Sequence, residues 1–258
     1  MRKCRQKASI AVSVLAAAAI MVLGGCASQP RDTGDGGAYD PLEPVNRAVF
    51  SFNRAADRAL LRPVARGYDN VVPRPVKTGV ANLLDNLSTP IWVLNHLLQG
   101  EFGLAGKQSS RFLINSTVGL LGLLDLASRE GIEKRSANFN QTFGKWGVPP
   151  GPYLMLPFLG PSSARGAVAT YARYETDIIW NYFDDRRDIR DKLVALDIVD
   201  TRRRLLPLDK MIDQAPDPYI FVREGYSQRV EYEIRGRGQP DDDVALDFED
   251  EDWDDEEP

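Results

Sequence analysis

The sequence predicts an all-α protein, and three observations predict it. Apolar residues recur at steps of three and four through most of the chain. Prolines and capping residues stand at the starts of those runs, and the two-residue alternation of strands is almost absent. Pro44 suits a first helical position, and Val45, Val49, Phe52, Ala56 and Leu60 follow at steps of four, three, four and four. Pro75 opens a second helix with Val76, Val80, Leu83, Leu84 and Leu87 on one side. Thr89-Pro90 reads as a cap and first-turn pair for a third helix, which Gly100 ends. Lys107 and Arg111, four apart among Gly103, Gly106, Ser109 and Ser110, predict a helix with a small-residue face. Ile189, Leu193, Leu196 and Val199 mark another, and Asp217-Pro218 introduces a last one carrying Val222, Tyr226, Val230 and Ile234. Between these, Trp146 to Pro161 is so rich in glycine and proline that a stiff apolar loop without regular structure is expected.

The ends differ from the middle. Of 258 residues, 43% are hydrophobic and 27% charged, a globular mix that excludes a wholly disordered or fibrous protein. Residues 240–258 hold twelve acids and no base, and the first 25 residues hold four bases and no acid. The segment between carries 28 bases against 25 acids, too slight an excess for a nucleic-acid surface. Two cysteines and one histidine, His96, exclude a disulfide scaffold and a Cys/His zinc site. The basic stretch Arg2 to Lys7, the apolar stretch Ile10 to Leu23 and the small residues Gly24 and Gly25 follow the order of a secretory signal. Leu23-Gly24-Gly25-Cys26 resembles the lipobox of bacterial lipoproteins. That resemblance implies cleavage after residue 25 and a diacylglycerol and acyl chain on Cys26. Ala27, in place of the aspartate associated with inner-membrane retention, implies an outer-membrane destination. Four parts are expected: a signal peptide over 1–25, a flexible tether over 26–39, a folded domain over 40–238 and a disordered acidic tail over 239–258.

Two apolar stretches stand out. Ile91 to Leu94 with Leu97 and Leu98 is apolar nearly all round, and Val118 to Ala127 is apolar except for Asp125. Ten helical residues span roughly 15 Å, half of a hydrocarbon core, so neither crosses a bilayer. Each is either core or seated within one leaflet, and both readings stay open. Asp125 faces a partner, backbone donors or water, or else it caps a turn and pairs locally. Asn115-Ser116-Thr117 is expected to cap the apolar segment after it.

The residues offer little catalytic chemistry. His96 is the only imidazole, and its apolar helix favours a packed role. Gly160-Pro161-Ser162-Ser163-Ala164 departs from a nucleophile elbow at its last residue and contains a proline. No phosphate-binding loop is present, and Gly236-Arg237-Gly238 lacks the third glycine of a dinucleotide fingerprint. No enzyme is expected.

An ordered set of motifs runs along the folded part. It comprises Asp40-Pro41-Leu42-Glu43-Pro44-Val45-Asn46-Arg47, Phe52-Asn53, Arg62-Pro63-Val64-Ala65 and Arg111-Phe112-Leu113-Ile114-Asn115-Ser116-Thr117. Gln141-Thr142, Trp146-Gly147-Val148, Gly151-Pro152-Tyr153, Gly160-Pro161-Ser162-Ser163 and Asp217-Pro218-Tyr219 come after them. Over Asp40 to Gly238 the chain resembles the VacJ/MlaA family of outer-membrane lipoproteins. The resemblance implies a ring-like, all-helical domain in the inner leaflet of the outer membrane. It also implies association with a porin trimer, removal of misplaced phospholipid from the outer leaflet, and hand-off to a periplasmic carrier. Arg111, Asn115 and Asp125 are expected near a polar lipid path, and charge reversal at Arg111 is expected to spare the protein while lowering transfer. A porin-associated lipoprotein that transports nothing is the alternative. Two departures from the pattern leave any local ion pair open. Asn138-Phe139-Asn140 replaces a usually acidic, glycine-containing stretch, and Gly166 follows Arg165 where the family commonly has Asp.

Overall fold

The computed structural model of the chain describes residues 38–177, 179 and 186–235. The expected signal peptide, Cys26, most of the expected tether, Gly236-Arg237-Gly238 and the acidic residues 240–258 lie outside the described residues. The elements in order are α1 (Glu43–Ala56), a π-helical segment (Asp57–Leu61), α2 (Arg62–Val71), α3 (Arg74–Leu98) and α4 (Phe102–Thr117). Then come α5 (Leu126–Arg129), α6 (Phe139–Lys145), β1 (Tyr153–Leu156), β2 (Gly160–Ser163) and α7 (Ala164–Thr176). The last three are α8 (Arg187–Arg204), α9 (Leu208–Gln214) and α10 (Pro218–Arg235). The fold is therefore mostly helical, as expected. Contacts between elements close a circuit: α2 meets α8, α8 meets α3, α3 meets α6, α6 meets α10, α10 meets β2, and β1 returns to α1.

Four expectations about elements need correction. Thr89-Pro90 starts no helix, because α3 runs unbroken through Pro90 for 25 residues. Leu84, Ile91 and Asn95 are buried on both sides of the proline, so packing against α4 holds the helix together across the missing N–H. Val118 to Leu124 is a series of turns rather than a helix, and Asn115-Ser116-Thr117 is the last turn of α4 rather than a cap for the apolar segment. The glycine-proline stretch contains a two-stranded antiparallel hairpin, with Tyr153 opposite Ser163 and Leu156 opposite Gly160. Gly100, by contrast, ends α3 with φ +75° in the manner its sequence position predicts.

The hairpin exists because α1 supplies what a third strand would. Asn46 Nδ2 donates to the Tyr153 carbonyl at 3.0 Å, and Asn46 Oδ1 accepts from the Met155 amide at 2.8 Å. Two helical turns later, Asn53 Nδ2 donates to the Leu156 carbonyl and its Oδ1 accepts from the Phe158 amide, both at 2.9 Å. Tyr39, which the sequence assigns to the tether, accepts from the Tyr153 amide at 2.8 Å. The strand edge is thus paired by side chains on one helix face, and Pro161 sits on a strand with a free outer edge. Beneath it, Tyr153, Met155 and Tyr219 form an apolar cluster with Val49, Phe50, Val222 and Tyr226.

Burial is inverted relative to a water-soluble bundle. Among the described residues, sixteen buried residues are polar or charged and twelve are apolar. Large apolar side chains lie on the surface instead, including Val71 at 80%, Phe158 at 73%, Phe102 at 72% and Leu121 at 70% exposure. No described helix is long and apolar enough to cross a membrane.

Ion pairs join the elements that apolar packing does not. Arg202 binds Asp57 at 2.6 and 2.9 Å and Asp209 at 2.7 Å, tying α8 to the π-helical segment and to α9. The wide π turn sets Asp57 and Arg62 on the side facing α8 and α9, where Arg62 Nε lies 3.1 Å from Asp209. Substituting Asn46→Ala leaves the Tyr153 carbonyl and Met155 amide unpaired in the interior. It should lower unfolding free energy by about 3 kcal/mol, read from urea unfolding, whereas Asn53→Ala at the hairpin tip should cost about 1 kcal/mol.

Candidate functional site

Arg111 and Asn115 lie one turn apart on the buried face of α4, and both reach Asp125, which caps α5. Arg111 Nη2 donates to Asp125 Oδ1 at 3.0 Å and to Oδ2 at 2.8 Å. Arg111 Nη1 donates to Ser128 Oγ at 2.9 Å and to the Ile132 carbonyl. Asn115 Nδ2 donates to Asp125 Oδ1 at 2.9 Å, and its Oδ1 accepts from the Ala127 amide at 3.0 Å. Ser128 donates to Asp125 from its hydroxyl at 2.6 Å and from its amide at 3.2 Å. Burial raises the Asp125 carboxyl pKa, but the bonds from Ser128, Asn115 and Arg111 outweigh it and hold the value down to about 2. The three residues singled out from the sequence therefore meet in space, in a network whose donors and acceptors are spent on one another. Charge reversal at Arg111 would set two carboxylates together in the interior, so loss of folded protein is expected, against the sequence reading.

The network holds the apolar turn Val118–Leu124 against α3. Leu120 and Leu121 have φ of +54° and +62°, a left-handed backbone that costs a leucine about 1–2 kcal/mol each. Gly122 at φ +97° packs on Asn86, where a Cβ would come within 2.4 Å of the Asn86 Cβ. Asn86, on α3, donates to the Leu121 carbonyl at 3.2 Å and to Ser116 Oγ at 2.9 Å. The amides of Val118, Gly119, Leu121, Gly122, Leu123 and Leu124 all donate to carbonyls within the turn or the end of α4. Outward, Val118, Leu120, Leu121, Leu123 and Leu124 are exposed. An irregular backbone with six of its seven amides bonded internally and apolar side chains outside is of the kind that hydrocarbon tolerates.

A polar cleft lies beneath the turn, lined by Asn82, Asp85, Asn86, Thr89, Trp92, Arg111, Asn115, Asp125 and Lys134, with room for roughly one water molecule. Asn86 Oδ1 is buried there without a partner. The sequence reading missed Asn86 and Ser128, since their roles depend on a turn that brings positions 30 and 17 residues apart together. Lys107 is exposed on α4, and nothing lies within 4 Å of a Cβ built at Gly103 or Gly106, so neither glycine serves a close helix approach among the described residues.

The residues considered for catalysis are engaged elsewhere. His96 Nδ1 lies 2.7 Å from Glu101 and Nε2 lies 3.1 Å from the Arg135 carbonyl, so both ring nitrogens are occupied. Ser162 Oγ donates to the Ser163 carbonyl at 3.3 Å. The pair that a hydrolase would need is not hydrogen-bonded to each other.

The Asp125 cluster gives a pH signature. Its depressed pKa means the stabilisation is complete above the unfolded value of 3.8 and is lost as pH falls through about 2. The stability difference between wild type and Asp125→Asn should shrink by about 2 kcal/mol as pH falls from 5 to 2, measured by urea unfolding. Gly122→Ala, which drives a methyl into Asn86, should cost about 3 kcal/mol in the same assay.

Comparison with known proteins places this geometry. Residues 38–233 match the MlaA lipoprotein family. The chain is 34% identical over 199 residues to an uncharacterised protein of Rickettsia typhi, covering 76% of this chain and 78% of that one. It is 32% identical over 234 residues to the intermembrane phospholipid transport system lipoprotein MlaA of Escherichia coli, covering 83% of this chain and 85% of the relative. A solved structure, described as the structural basis for maintenance of bacterial outer membrane lipid asymmetry, superposes with a TM-score of 0.67 at 32% identity. That likeness covers 76% of this chain and 98% of the other. With most of its length matched by the family and by relatives above 30% identity, the chain belongs to the MlaA lipoprotein family.

Proposed function

We propose that this protein is a lipid-anchored outer-membrane component of intermembrane phospholipid transport, which removes phospholipid from the outer leaflet to maintain lipid asymmetry. The observation that carries the reading is the inverted burial: polar side chains inside, large apolar side chains outside. A surface of that kind is costly in water and at home in hydrocarbon. Cys26 would bear a diacylglycerol and an acyl chain, and several chains together give durable attachment. The exposed leucines of the Val118–Leu124 turn would sit in the inner leaflet, with the Arg111–Asn115–Asp125 network at the edge of the polar path.

A headgroup leaving water for hydrocarbon loses its hydrogen bonds, and a charged group there is very costly. A polar route bounded by a circuit of helices would supply substitute bonds while the acyl chains stay in an apolar setting. No bond is made or broken in this scheme, so any net drive comes from other components. A porin trimer would hold the protein in place, and a periplasmic carrier would accept the lipid. The name of the Escherichia coli relative, a lipoprotein of an intermembrane phospholipid transport system, supports a partner that accepts the lipid.

Deleting the gene should raise outer-leaflet phospholipid, measured by surface labelling, and complementation should restore it. Unchanged surface phospholipid with altered porin levels would favour the non-transporting scaffold and overturn the conduit. Cys26→Ser should release the protein from membranes and fail to complement.

A further inference from the structure

Arg165 is the second residue of α7 and is 7% exposed. A guanidinium offers five N–H donors. Two of them are used here: Nε donates to Asn140 Oδ1 at 2.8 Å and Nη1 to the Val148 carbonyl at 2.7 Å. Both acceptors are uncharged. Among the described residues Tyr226, a phenol, is the only ionisable side chain that acts on it. Glu233, which α10 brings against the start of α6, is taken by Gln141 at 3.1 Å, Asn138 at 3.4 Å and Arg229 at 2.8 Å. The other buried arginine among the described residues, Arg111, has Asp125 as counter-ion. Arg165 has none.

Its position adds to the imbalance. The start of α7 carries the positive end of the helix dipole. The first amides of α7 are already bonded, Ala164 to the Pro152 carbonyl, Arg165 to the Pro150 carbonyl and Gly166 to Ser163 Oγ. Burial pulls the guanidinium pKa down, as expected for a cation without a partner. Asn140 is the acceptor on Nε, and Gly166 offers no carboxylate and no room for one. A Cβ there would lie 2.7 Å from Tyr226 Oη and 2.8 Å from Ser162 Oγ. A buried cation with no carboxylate partner among the described residues, and with donors beyond its two printed bonds, has the chemistry of an anion site.

We propose that Arg165 binds a phosphate oxyanion at the junction of α6, the hairpin and α7. In the transport reading, on which the choice of source rests, that oxyanion is the phosphodiester of a phospholipid headgroup. The planar fork matches two non-bridging phosphate oxygens, and the buried setting makes the pairing stronger than it is in water. The headgroup leaves its hydration shell and the protein supplies the missing counter-charge at the same point.

The experiment uses the full mature lipoprotein in phosphate-free dodecyl maltoside, with calorimetric binding of dihexanoylphosphatidylethanolamine and of inorganic phosphate. Arg165→Gln should weaken lipid binding at least tenfold. Asn140→Asp sets a carboxylate where an amide oxygen already accepts, so it supplies an internal counter-ion without a change of shape. It should melt no lower than wild type and still lose about tenfold in affinity, an outcome that a purely structural arginine would not give. Competition by inorganic phosphate identifies the oxyanion alone as the ligand, and its absence identifies the esterified headgroup; the site stands in both. Wild-type affinity in both variants, or no binding of either probe by wild type, overturns it. Surface phospholipid in the deletion strain separates the two ideas. If deletion leaves it unchanged while binding depends on Arg165, the conduit fails and the anion site remains. If deletion raises it while the variants bind normally, the site fails and the conduit remains.

Discussion

Side-chain hydrogen bonding to backbone and to opposite charge is the constraint on which this structure depends. In a water-soluble bundle, apolar burial brings helices together. Here the large apolar side chains are outside, and in a lipid setting they would gain nothing by moving inward. Cohesion falls to the carboxamides of Asn46, Asn53 and Asn115, to Arg111 with Asp125, and to Arg202 with Asp57 and Asp209. Such contacts are directional, so they also fix register between elements in a way that grease does not. Asn95 and Thr142, bonded at 2.7 Å with both side chains fully buried, do for α3 and α6 what a leucine pair does elsewhere.

The five longest helices, α1, α3, α4, α8 and α10, were legible in the sequence, because each carries apolar or small-residue spacing of its own, and α1, α3 and α10 also begin at a proline. What escaped was set by partners distant in the chain. Pro90 looked like a helix start because the local rule is sound, and only the α4 face that α3 packs against overrides it. The hairpin was invisible because its β1 edge is completed by asparagines more than a hundred residues earlier. Val118 to Leu124 read as helix because left-handed leucines are disfavoured and no local signal announces them.

The candidate site divides in the same way. Arg111, Asn115 and Asp125 were readable as a polar set inside apolar surroundings, and α4 does bring them together. That their bonds are internal, and that the Asp125 carboxylate doubles as the cap of α5, required the fold. Arg165 is the converse case. Its sequence neighbourhood flagged a missing acid, but only the placement of Asn140 and Glu233 reveals that, among the described residues, no other carboxylate takes the vacant role.

The asparagine pairing along β1 has a consequence for the protein's biogenesis. An open strand edge is a template on which a second copy can grow, and a chain with this much exposed apolar surface would be prone to such stacking before it is seated. Because Asn46 and Asn53 cap the β1 edge from within the same molecule, that edge is closed to a second copy as soon as α1 docks, and on β2 the missing N–H of Pro161 weakens the template that the other edge offers.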